Sequence, residues 1–361
     1  MTTRLPDPVT APILQYRSKT AYSIPLDQSD AIVRASAYHR QEFDRAVIWF
    51  SPRTHNNSLT SILPALREPT ASLGDLDRLS LDLIHEICLQ LDIMSIFYLR
   101  QTNARARHVV NALHEYQIVT THALNPFCAL LRTHSASRVT LLDFYRLLCT
   151  QICSLCNYQY GDLVYLPTWI RFCSHCLRCG DDRICISKLS SVKRVLLLSK
   201  RSLAQLPALR TLPGIYDRDE SRSGRITIVP TQSALSAFRE ESGGTGPTHN
   251  MMNDIYATPT LTFMASCALP SYNLQTKQVE NGISCAGCQL ALQDDISART
   301  EYWAFQVRYK VYSRCGFLKH FVWCEKAQNL WLESKNGTVE PPRLPYRCKK
   351  KVDILSQENE V

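Results

Sequence analysis

Two closely matched cysteine pairs constrain this chain more than any other feature. In ICSLCNYQYGDLVYLPTWIRFCSHCLRC, two residues separate Cys153 from Cys156, two separate Cys173 from Cys176, and sixteen lie between the pairs. Such thiols can serve as a redox device, a disulfide staple or a metal cage. The compartment helps to choose among them. No run of eighteen or more apolar residues occurs, and the opening MTTRLPDPVTAPILQY carries prolines where a secretory leader needs an unbroken apolar core. The expected location is therefore intracellular, cytoplasmic or nuclear, with no membrane partner. There the fifteen cysteines stay reduced and a disulfide framework is disfavoured.

A thioredoxin-like pair needs one Cys-x-x-Cys at the end of a strand in a βαβ setting, and two copies at this spacing do not fit it. A RING domain needs eight ligands in crossed order. Cys173, His175 and Cys179 begin such a series, but Asp182 stands where the next cysteine belongs, and no further Cys-x-x-Cys follows until Cys285. A four-sulfur zinc cage remains. Each tight knuckle points two sulfurs inward, and the alternating Val164, Leu166 and Trp169 predict a short hairpin that returns the second knuckle to the first. Structural zinc in small modules is worth about 10 to 16 kcal/mol, which substitutes for a large core. Cys179 and Cys185 are spare thiols beside this site.

A second site is expected at ISCAGCQ, where Cys285 and Cys288 are followed after thirty-one residues by His320 and, four positions on, Cys324. On a continuous helix those two side chains would share a face one turn apart and complete a Cys3His shell. The competing reading is that His320 and Cys324 pack inside an amphipathic helix with Phe317, Phe321 and Leu330; Cys315 is the spare thiol. About two structural zinc ions are expected in all.

The clearest periodicity lies in LDRLSLDLIHEICLQLDIMSIFYLRQTNARARHVVNAL. Ser80 can cap a helix whose Leu83, Ile84, Ile87, Cys88 and Leu91 recur at helical spacing, and Asp82 suits the positive end of its dipole. The pattern breaks over Asp92 to Ser95 and resumes at Ile96, Leu99, Ala106, Val110 and Leu113. So small a helical hairpin cannot cover its own apolar face.

Leu79, Ser80, Asp82, Leu83, Ile84, Ile87, Leu91 and Leu99 together resemble an F-box, with Ser80 where that family has proline. With the cysteine pairs and SKRSLAQLPALRTLPGIY after the first of them, the chain looks like the zinc-carrying F-box proteins abundant in fungi, over residues 71 to about 335. The resemblance implies an adaptor of an SCF-type cullin-RING ubiquitin ligase. Leu79, Leu83, Ile84, Ile87, Leu91, Ile96 and Leu99 would bind the Skp-type linker, and the remainder would hold an unidentified protein substrate.

The expected fold is α+β and multi-part. It comprises a flexible extension with one local helix and an apolar knot at Ala46 to Phe50 (1–70), F-box helices (71–118), a zinc ribbon-like module with a basic helix and turn (119–218), a linker (219–256), an irregular α+β region with the second zinc site (257–338) and a tail (339–361). No phosphate-binding glycine loop, Gly-x-Ser-x-Gly or His-Glu-x-x-His occurs, so no enzyme is expected. A second function stays open at this point. Between Arg171 and Arg225 twelve Lys and Arg face five Asp and Glu, and Tyr158, Tyr160, Tyr165 and Trp169 offer stacking surfaces, as in a zinc-dependent nucleic-acid binder.

Overall fold

Polar caps punctuate a run of short helices between Leu81 and Leu148. Ser80 accepts a hydrogen bond from the Leu83 N–H at 3.4 Å and opens Leu81–Gln90; Asp92 caps Ile93–Thr102 through Ser95, and Asn103 caps Ala104–Ala112 through Ala106. His114–His122, Leu124–Arg132 and Leu141–Leu148 follow. Ile84, Cys88, Ile93 and Ile96 join Val110, Phe127 and Phe144 in one core. This computed structural model describes residues 17–51, 72–217, 220–255, 260–297 and 310–339. It is α+β, with several small antiparallel sheets among the helices.

The chain forms two units, one from 44–157 with 161–279, the other from 1–43, 158–160 and 280–361. In the larger unit the hairpin Leu163–Tyr165 with Ile170–Phe172 gains a third strand, Ser266–Ala268, on its Leu163–Tyr165 edge. The knot at Ala46 to Phe50 lies beside it, with the Ile48 N–H donating to the Ser266 carbonyl at 2.9 Å. A second sheet places Thr227–Pro230 between Ile186–Lys188 and Leu209–Arg210.

Three boundaries expected from composition need correction. Described residues of 219–256 form no linker: they hold the central strand Thr227–Pro230 and the helices Thr231–Glu241 and His249–Ile255. Four residues suffice for that strand because both edges are paired and Ile228 and Val229 are buried. The region expected to start at 257 is divided instead, since residues 260–279 belong with the first cysteine site. The helical segment 72–118 and residues 119–217 share one core rather than forming two domains; the Tyr116 and Phe127 rings, for example, lie 6.1 Å apart across that boundary.

The N-terminal expectation also changes. Residues 17–43 are built into the smaller unit, where Ile32 and Ala35 of the helix Ser29–Ser36 pack with Phe317, Phe321 and Trp331. Residues 1–16, 52–71 and 340–361, including the Lys349 to Lys351 cluster, lie outside the described residues. No described helix is long and apolar enough to cross a membrane.

Candidate metal centres

The first centre is assembled from one stretch of chain. Cys153 and Cys156 flank a turn closed by the Asn157 N–H donating to the Cys153 carbonyl at 2.9 Å, with Asn157 in the left-handed region at φ 60°. The hairpin runs out and back with Leu163 opposite Phe172, turning at Trp169, also left-handed at φ 53°. Cys173 then caps the helix Ser174–Cys179, its sulfur accepting from the Cys176 N–H at 3.4 Å, and Gly180 ends that helix at φ 69°. The second knuckle thus opens a helix rather than closing a plain ribbon.

The four sulfurs converge. Cys153 and Cys176 Sγ are 3.9 Å apart, Cys156 and Cys173 Sγ 4.0 Å, and all four lie within 4.8 Å of one another. A disulfide needs about 2.05 Å, so these are free thiols. A tetrahedral ion with metal–sulfur bonds of about 2.3 Å would set sulfur–sulfur edges of about 3.8 Å. The two closest-matched edges are near that length, so the four sulfurs could hold an ion. Hydrogen bonds from Cys173 and Cys176 pull the Cys153 thiol well below its ordinary value, the direction that suits a cation.

Two buried polar residues brace this cage. The carboxylate of Asp162 accepts from the Ser174 N–H at 2.8 Å and from the Ser174 hydroxyl, fixing the knuckle between Cys173 and Cys176. Burial pushes its carboxyl up to about 6 despite those bonds. Arg171 donates to the carbonyls of Leu147, Gly161, Leu269 and Pro270 and to the Thr150 hydroxyl, tying three segments to the hairpin. Gly161 is required there, because a Cβ would sit 2.6 Å from Arg171 Cγ. Sequence reasoning counted Arg171 as surface charge and passed over Asp162. Only the fold shows that both side chains point inward.

The second centre joins distant segments. Cys285 ends the strand Ser284–Cys285 and Cys288 lies in the first turn of Ala286–Ser297, its N–H donating to Cys285 Sγ at 3.4 Å. Cys285 and Cys288 Sγ each stand 3.8 Å from Cys324 Sγ, and His320 Nε2 is 3.2 Å from Cys288 Sγ. The expected continuous helix through His320 and Cys324 is absent. Arg314–Phe321 ends first, Val322 and Trp323 turn, and Cys324 begins Glu325–Glu333 from an extended conformation. The turn still brings the imidazole and the sulfur together. Phe317 and Phe321 are buried behind the site as the packing alternative required, so helix packing is compatible with ligation.

The N-terminal segment completes this unit. Ala37 pairs with Cys285 and Tyr38 with Ser284, Arg17 bridges to Cys324, and the Tyr22 N–H donates to the Val322 carbonyl at 3.0 Å. Gly287 lets two helices meet, since a Cβ there would lie 2.3 Å from the Ala327 nitrogen. The spare thiols stay outside both cages: Cys179 and Cys315 are exposed, and Cys185 Sγ donates to the Asp181 carbonyl.

The expected partner face divides. Leu79, Leu83 and Ile87 are exposed, the last two at 53% and 45%, with Leu76 and Leu81 exposed beside them. Ile84 and Ile96 are instead buried, and Leu91 and Leu99 are half-buried against the same core. Position on the helix explains the correction. Leu83 and Ile87 share one stripe, whereas Ile84 and Cys88, one residue further round, share the stripe facing inward. No family model, curated protein or solved structure matches this chain.

Proposed function

We propose that the protein is the substrate-recognition adaptor of an SCF-type cullin-RING ubiquitin ligase, docking on a Skp-type linker through Leu79, Leu83 and Ile87 and holding a protein substrate with its metal-stabilised remainder. The observation that carries this reading is the exposed Leu83 and Ile87 stripe on a helix whose neighbouring stripe, Ile84 and Cys88, is already buried. An isolated amphipathic helix hides its apolar side chains, and contiguous exposed ones mark a surface meant for another protein. Those side chains occupy the positions at which the F-box resemblance places linker contacts. Ile84 and Ile96 serve by fixing the helices beneath that surface.

Both centres are read as structural zinc. Three or four thiolates with at most one imidazole form a soft shell suited to zinc, and four protein ligands leave no position open for water or substrate. The work is then positioning a substrate near a conjugating enzyme rather than chemistry on the chain itself. The nucleic-acid reading loses two of its four stacking surfaces, because Tyr160 and Tyr165 are buried, whereas Tyr158 is exposed and Trp169 half-buried.

Co-expression with a Skp-type linker tests the proposal. The parent protein should co-purify with it, and Leu83→Asp combined with Ile87→Asp should abolish the complex while retaining two metal equivalents. Undiminished co-purification of that variant would overturn the reading.

A further inference from the structure

The basic stretch between Arg171 and Arg225 separates into two populations. Arg171 is buried, while Arg178, Arg183 and Arg222 pair with Asp217, Asp181 and Glu220. Lys188, Arg210 and Arg225 are exposed and enter no ion pair or side-chain hydrogen bond among the described residues, and the same holds of Lys193, Arg194, Lys200 and Arg201, the four grouped most closely in sequence. These four bracket one turn. The helix Leu189–Leu196 ends, Leu197 reverses the chain, and Ser199 caps Lys200–Gln205.

Three features of this turn oppose its own stability. Leu197 is 80% exposed, the most solvent-accessible large apolar side chain among the described residues. It also holds a left-handed backbone at φ 49°, ψ 33°, which costs a non-glycine residue about 1 kcal/mol. Lys200 and Arg201 occupy the first turn of a helix, where the dipole repels cations. The chain's own Glu241 partly relieves that repulsion by accepting from the Ser199 N–H at 3.1 Å and from the Ser202 hydroxyl, yet four cations outnumber it. Departures from local preference concentrated in nine residues indicate a surface kept for binding.

We propose that this leucine-centred basic turn docks an acidic segment of a partner protein, in which Asp and Glu side chains flank an apolar residue. The assignment names the substrate's recognised chemistry and rests on the adaptor reading above. Charge complementarity selects an anion, and Leu197 selects one that brings an apolar side chain, which a phosphodiester backbone does not. Residues 188–210 themselves contribute no aromatic side chain on which a base could stack. Cations on separate flexible stems suit several carboxylates rather than one phosphate, which calls for donors converging on a point.

Fluorescence anisotropy on the full chain tests this, with a labelled peptide of Asp and Glu around a Leu-Phe pair, its lysine-substituted counterpart, a singly phosphorylated neutral peptide and a single-stranded DNA oligonucleotide. The acidic peptide should bind best, more weakly as salt rises. Joint reversal to Glu at Lys193, Arg194, Lys200 and Arg201 should weaken it about tenfold or more. Leu197→Gly should raise thermal stability by relieving the left-handed strain yet still weaken the peptide, a combination that a purely structural leucine would not produce. Absent peptide binding, affinity indifferent to these variants, or tighter binding of the oligonucleotide or phosphopeptide would overturn the proposal. The same samples are assayed for linker co-purification. Its retention alongside lost peptide binding condemns only this surface, while its absence from a parent protein that binds the peptide condemns the adaptor reading instead.

Discussion

The two candidate metal centres have nearly the same donor set but opposite assembly. The first draws Cys153, Cys156, Cys173 and Cys176 from twenty-four consecutive residues, folded back by a hairpin whose turn is local. The second needs Cys285 and Cys288, a separate turn at His320 and Cys324, and a strand at Ala37–Tyr38 from the other end of the chain. Closing a short loop costs less entropy than gathering remote segments. The first cage can thus nucleate its surroundings, whereas the second must wait for pieces already made. A metal held at the second centre would consequently act as a clasp between segments remote in sequence.

That contrast can be broken at several points. The largest effect is expected from ligand loss. Cys153→Ser should remove one metal equivalent and collapse the core shared by the hairpin and the helices from Leu81 to Leu148, because Cys153 is fully buried in it and structural zinc is worth about 10 kcal/mol or more. Cys285→Ser should also remove one equivalent while leaving that core protected. Elemental analysis with hydrogen exchange would decide, and equal collapse from both variants would erase the distinction.

A smaller effect should follow deletion of residues 1–43. The first centre keeps its metal and the second loses its strand partner and the Ile32 and Ala35 packing, so metal content should fall from two equivalents toward one. Native mass spectrometry reads this directly. Two tightly held equivalents in the truncated chain would show the second cage to be self-sufficient.

The smallest effect concerns Asp162 beneath the first cage. Its carboxyl is raised by burial to about 6 from 3.8, so the folded chain keeps a proton that the unfolded chain has released. Its contribution is fully present below pH 4 and is lost as pH rises to about 6, a change of about 3 kcal/mol. Acid also weakens thiolate–metal bonds, so the comparison is between the parent and Asp162→Asn at each pH. The difference in denaturant midpoint between the two should vary over this window and stay flat above it. An unchanging difference from pH 4 to 7 would remove the buried carboxyl from the account.

Spacing made both ligand sets legible, because a Cys-x-x-Cys turn aims its sulfurs wherever it occurs. Helical spacing likewise revealed the run from Leu81 onward with its Ser80 cap. It did not say which stripe faces out, since Ile84 and Ile87 are equally apolar and differ only in what the rest of the chain lays against them. Asp162 and Arg171 were opaque for a related reason. A charged residue reads as surface until particular carbonyls and N–H groups are found around it. The segments at 17–43 and 220–255 were misread because Ser, Thr and Gly content mimics a linker when the pairing partners lie far away in sequence.

What the order of residues settled alone is the local chemistry: two four-ligand cages, capped amphipathic helices and a surplus of cations near the middle. Tertiary structure decided which apolar and charged side chains remain available to another molecule, and which remote strand closes the second cage. The physical reason is range. Knuckles, caps and helix periods are fixed by neighbours a few positions apart, while burial and strand pairing depend on segments brought together only when the whole chain has folded.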